Sequence, residues 1–166
     1  MALAYVARFA TSRAKLDGYL RRKLRERGWA GEGEPQLEAL VERLAAAGYV
    51  DDAAFARAKA GSLLRRGYGQ RRVSQALGAA GITGELRDAV RPGRGAARQA
   101  ALAMARKRGF GPFGAAVPER ALREKQIAAM LRAGHPLDSA RELVDAASPE
   151  AAEQWAAQGG EDGECD

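Results

Sequence analysis

The sequence predicts an all-α protein: three tandem three-helix repeats in an elongated array, followed by a disordered acidic C-terminal tail. Three observations carry that expectation. Alanine, the best helix former, occurs 38 times in 166 residues against 7 Val, 2 Ile and 2 Thr, a balance that favours helix and leaves little to build a sheet. Apolar residues recur at helical rather than alternating spacing. A glycine followed by a large side chain closes segment after segment, at Gly28-Trp29, Gly48-Tyr49, Gly67-Tyr68, Gly81-Ile82, Gly109-Phe110 and Gly134-His135. Such a pair signals a helix C-cap, because glycine takes the left-handed conformation without steric cost and the next residue folds back on the last turn. Glycines 28, 81 and 134 are 53 residues apart, the period of a three-helix unit.

The first repeat, residues 1–50, opens with the Ala-rich ALAYVARFA. Its long second helix, SRAKLDGYLRRKLRERGW, is capped by Ser12 and carries Leu16, Leu20 and Leu24 on one face. The third, EPQLEALVERLAAAGY, starts at Pro35 and turns Leu37, Leu40, Val41 and Leu44 inward. The second repeat, 51–91, begins at Asp51 with DDAAFARAKAGSLLRRG. It turns at Gly67 to Gly69 into GQRRVSQALGAAGI, with Val73 and Leu77 inward, and ends on TGELRDAV, capped by Thr83. After the joint at Pro92-Gly93 the third repeat, 92–147, runs through AARQAALAMARKRG and then REKQIAAMLRAGH, with Ile127, Met130 and Leu131 inward. It closes on PLDSARELVDAA, with Asp138 or Ser139 near its cap and Leu137, Ala140 and Val144 inward. Residues 148–166, ending QGGEDGECD, are expected to be the disordered tail.

Charge is uneven. The last 19 residues hold six acids (Glu150, Glu153, Glu161, Asp162, Glu164, Asp166) and no base, leaving 27 bases and 15 acids in the body. A basic body points to a polyanion or an acidic protein surface as partner, with the tail as solubiliser or competitor. The lone Cys165 forbids an internal disulfide or a thiolate metal site, and the lone His135 excludes two-histidine zinc motifs. No apolar run spans a membrane and the start meets arginine too early for a signal peptide, so a cytoplasmic monomer is expected.

Motifs for chemistry are absent on inspection of their context. GFGPFG at 109–114 has the spacing of a dinucleotide fingerprint, but an Ala-rich helix precedes it where that motif needs a strand. Asp51 and Asp52 read as helix-start residues, and Glu119 with Glu124 lacks the contrasting environments of an acid/base pair. His135, next to a cap glycine, reads as a capping or surface residue. No catalytic residue, metal or cofactor is expected.

The basic clusters remain. On the long helix Arg21, Arg22, Lys23, Arg25 and Arg27 occupy positions outside the leucine stripe. Arg65 and Arg66 end one helix and Arg71 and Arg72 open the next, so the turn at Gly67 to Gly69 is expected to gather four guanidinium groups on one edge around Tyr68. Arginine pairs bidentately with carboxylate or phosphate and stacks on bases.

In these stretches the sequence resembles the RecX family, regulators of the RecA recombinase. The resemblance rests on Ser12-Arg13-Ala14 with RRKLRERGW, on RLAAAGYVDDAAFA, on LLRRGYGQRRVSQAL followed by AAGI, and more loosely on FGPFG and MLRAGHPLDSARELVDA. It implies a non-enzymatic helical protein that lodges on the RecA filament on DNA and limits its recombinase, ATPase and coprotease activities. Gln70 stands where the pattern usually has proline, and the DGYL turn is extra. The competing class is a direct DNA-binding helical protein acting without RecA, in which the basic edge tracks phosphates.

Overall fold

A computed structural model of the chain describes residues 1–159. Among them are ten α-helices, one short 3₁₀ turn and no strand: α1 Ala2–Val6, α2 Arg13–Arg27, α3 Leu37–Ala46, α4 Asp52–Arg65, α5 Gln70–Gly78, α6 Gly84–Ala89, α7 Arg94–Arg108, the 3₁₀ turn Gly111–Phe113, α8 Arg120–Arg132, α9 Leu137–Val144 and α10 Pro149–Ala157. They form two compact units, Met1–Ala58 with Leu77–Ala89, and Lys59–Ala76 with the chain from Val90 onward. The dividing lines fall inside α4 and α5, so residues 51–91 contribute to both.

In the first unit Leu16, Leu20, Val41, Leu44 and Val50 form the core, with Tyr5 stacked on Tyr19 at 4.0 Å. The stripe positions Leu24, Leu37 and Leu40 are only half-buried. Ser12 caps α2 as its spacing predicts: its Oγ accepts from the Lys15 amide at 3.2 Å and donates to the Ala80 carbonyl at 2.5 Å. The two neighbouring aspartates cap different helices. Asp51 accepts from the Ala54 amide of its own helix, while Asp52 reaches the Arg13 amide at the start of α2, both at 2.8 Å.

The second unit is built on Leu102, Met104, Ile127, Met130, Leu143 and Val144, with Phe110 and Phe113 against them. GFGPFG is part of this packing: the Gly111 amide donates to the buried Gln126 side chain at 2.9 Å. Leu137 is 39% exposed and Leu143 takes the inward place expected of it. The reason is phase, since α9 starts on Leu137 and turns its first residue outward.

Five of the six glycine stops carry the backbone bond that defines the predicted cap, from the residue after glycine to a carbonyl five residues back: Tyr49 to Leu44, Tyr68 to Leu63, Ile82 to Leu77, Phe110 to Ala105 and His135 to Met130. Gly28 does not. Its ψ of 176 sends the chain onward in extended form, and Trp29 is left 53% exposed instead of folding back over Leu24.

The disordered tail is the main correction. Residues 149–157 form α10, which packs on α7 and buries Ala152 and Ala156 in the core of the second unit. Ser148 caps it, Pro149 fits its first turn, and Trp155 takes the Arg98 guanidinium over its ring at 4.7 Å. Glu153 pairs with Arg106. The acids Glu161, Asp162, Glu164 and Asp166, with Cys165, lie outside the described residues.

Candidate partner interface

The turn between α4 and α5 exists because Gly67 ends α4 with φ of 83 and Tyr68 returns its amide to Leu63. Within the second unit this turn docks on the α8–α9 turn. The Gly69 amide donates to the Ala133 carbonyl at 2.9 Å and the Arg71 amide to the Gly134 carbonyl at 3.2 Å. Approach is so close that a Cβ on Gly134 would stand 2.4 Å from the Arg72 nitrogen. His135 completes the joint. Its Nε2 donates to the Gly67 carbonyl at 2.9 Å, and it is buried rather than on the surface, with burial pushing its pKa below the ordinary histidine value.

This docking decides where the expected arginines go. All four are exposed, and their side chains have different surroundings. Arg65 lies back along α4, its Nη1 3.1 Å from where a Cβ on Gly61 would stand. Arg66 stacks over the half-buried Tyr68 ring at 5.3 Å. Arg71 donates through Nη2 to the Leu131 carbonyl at 2.7 Å, capping the negative end of α8. Of the four, Arg71 alone makes a side-chain hydrogen bond; Arg65, Arg66 and Arg72 have neither hydrogen bond nor ion pair from their side chains among the described residues. The docking adds a cation that sequence spacing had no means to place there, the exposed Arg132 in the last turn of α8 beside Leu131. The only route to it was a tertiary contact. Gln70, once its amide oxygen faces Arg91, accepts from that guanidinium.

In the first unit the α2 cations sit outside the leucine stripe, but most are paired. Arg21 contacts Asp17 at 2.7 Å and Glu38 at 3.5 Å, and the hydrogen bond to Asp17 holds it firmly protonated. Arg22 lies 3.7 Å from Glu26 and over Tyr19 at 5.6 Å, while Lys23 meets Glu26 at 2.5 Å. Arg25 is exposed without an acidic partner among the described residues. Exposed pairs of this kind are worth little and open readily to a competing anion.

The remaining candidates are structural. Glu124 pairs with Arg123 at 2.7 Å, and Glu119 stands at the N-terminal boundary of α8. No cluster of three or more potential metal ligands occurs among the described residues, and no helix there is long and apolar enough to cross a membrane. A family profile described as RecX, second three-helix domain, matches residues 51–90. A regulatory protein RecX from Myxococcus xanthus is 31% identical over 153 residues, covering 87% of this chain and 82% of that protein. The chain belongs to the RecX family. A regulatory protein RecX from Thermus thermophilus is 41% identical over 91 residues, 55% of this chain and 61% of the relative. RecX proteins are regulatory and non-enzymatic. In this RecX chain Arg65, Arg66, Tyr68, Arg71 and Arg72 all fall within the stretch that the profile matches, and the α2 cations fall outside it.

Proposed function

We propose that this chain binds the RecA filament on DNA and restrains its recombinase, ATPase and coprotease activities. The observation that carries the reading is the 153-residue match to a regulatory protein RecX, which covers 87% of this chain and 82% of that protein. In this reading the chain is three tandem three-helix units, 1–50, 51–91 and 92–147. Two similar joints support it: the start of α2 meets the α5–α6 turn through Ser12 and Ala80, and the start of α5 meets the α8–α9 turn through Gly69 and Ala133. Arg65, Arg66 and Arg72, with Tyr68, are the contact residues, joined by Arg21, Arg22, Lys23 and Arg25 of α2. Arg71 is better assigned to holding α8.

The test is RecA strand exchange with the chain added at rising concentration. Changing Arg65, Arg66 and Arg72 together to Ala should raise the inhibiting concentration about tenfold or more, at roughly 1 kcal/mol or more per charged contact, with the thermal midpoint unchanged. If the folded triple variant inhibits as well as the parent, this turn is not the contact. If it loses affinity for naked duplex with a shallower salt slope whether or not RecA is present, the chain acts on DNA directly.

A further inference from the structure

The first unit carries an apolar groove of which the filament reading uses only Lys23. Leu20 and Leu44, both buried, lie beneath it, and the half-buried Leu24, Leu37 and Leu40 line it together with Trp29. Its volume is about 520 Å³, within the ~300–1,000 Å³ of clefts that take a ligand or anchoring side chains. Trp29 stands open here because Gly28 does not close the usual cap, and its Nε1 is tied to the Gly33 carbonyl at 2.9 Å. Leu3, another lining residue, is 56% exposed.

The charges around this apolar lining have one sign. Lys23, Arg27 and Arg43 all line the groove and no acid does. Glu26 engages Lys23 from outside, an exposed contact that another carboxylate can replace. A nucleic acid would use the cations but leave Leu3, Leu24, Leu37, Leu40 and an indole without cover. A cationic or neutral helix would use the leucines and be repelled or ignored by the rim.

We propose that the groove is a docking site for an acidic amphipathic helix of another protein. Its apolar stripe would lie on the leucines and Trp29, and its flanking carboxylates would meet Lys23, Arg27 and Arg43. The arginines of the filament contact at the α4–α5 turn do not line the groove, and Lys23 is the one residue common to both surfaces.

The test uses the full chain and three fluorescein-labelled synthetic helices: one with an apolar stripe and acidic flanks, one with the same stripe and basic flanks, and one acidic with the stripe scrambled. Anisotropy should show binding of the first only, with a blue shift of tryptophan emission that is lost in Trp29→Phe. Arg27→Glu with Arg43→Glu, both exposed and compatible with folding, should weaken it at least tenfold and admit the basic helix. Circular dichroism on each variant separates loss of the site from loss of fold. Equal binding of the scrambled or the basic helix would overturn the proposal, as would no binding at about 1 mM. A single-stranded oligonucleotide giving the same Trp29 shift would make this a nucleic-acid surface. A Trp29 shift on self-association without peptide would make it an interface between copies; either result overturns the reading.

Discussion

Arg71 and Arg72 are neighbours in the first turn of α5, where cations oppose the helix dipole, and only Arg71 has a compensating partner in the Leu131 carbonyl. Arg71→Ala should therefore cost about 0.5–1 kcal/mol in urea denaturation, and Arg72→Ala should stay within about 0.5 kcal/mol of the parent. His135 titrates against stability on the acid side. Burial is the larger influence and outweighs the Gly67 hydrogen bond, so its pKa in the folded chain lies below the 6.5 of the unfolded chain. Above that value both states are neutral and nothing is lost. As pH falls through 6.5 the unfolded chain takes up the proton first, so stability declines until the folded pKa is passed. The thermal midpoint should begin to drop as pH falls through about 6.5, and His135→Gln should remove that slope. Glu26, Asp145 and Glu150 are held below their ordinary values, by Lys23, by Arg123, and by the Glu150 amide with Ser148 respectively, so what they contribute is present at neutral pH and is lost only as pH falls below the ordinary carboxylate value. At this scale the sequence was legible where a bond is local. Ser12 and Asp51 cap as spacing says, but Asp52 reaching Arg13 and His135 reaching Gly67 depend on residues 39 and 68 positions away.

Helix α10 shows how composition misleads when it is averaged. Six acids and no base over the last 19 residues suggest a tail, yet Ser148-Pro149-Glu150 is a cap, a first-turn proline and a first-turn acid in sequence. Ala152 and Ala156, spaced by one turn, are the buried face. Ending the chain at residue 148 should destabilise the second unit rather than leave it intact, visible as a lower denaturation midpoint. Trp155→Ala alone should cost about 2 kcal/mol, less than the ~3–5 of a fully buried aromatic because the ring is partly exposed to solvent. The other described helices were legible from apolar spacing and glycine stops. Gly28 departs because its glycine is followed by extended chain, which no letter in Gly28-Trp29 distinguishes from the five pairs that close.

At the level of the molecule, Gly81 and Gly134 mark two joints of one design. A Cβ on Gly81 would stand 2.2 Å from the Ala14 Cβ, and one on Gly134 would stand 2.4 Å from the Arg72 nitrogen, both at positive φ. Each change to Ala should cost about 1–3 kcal/mol or more, through strain and overpacking together. Hydrogen exchange should place the lost protection differently, in residues 1–58 and 77–89 for Gly81→Ala and in 59–76 and 90–159 for Gly134→Ala. Gly18→Ala is the contrasting case, since nothing lies within 4 Å of its Cβ position inside α2, and it should stabilise by about 0.5–1 kcal/mol. The sequence marked both glycines as helix stops, while the turns they dock against came only with the fold. Both joints draw chiefly on main chain: Ala80 and Ala133 lend carbonyls, and Gly69 and Arg71 lend amides. They ask little of a sequence beyond a glycine and a small neighbour. Substitutions among the exposed arginines around them can therefore alter the surface that a partner meets while leaving the way the helices meet untouched.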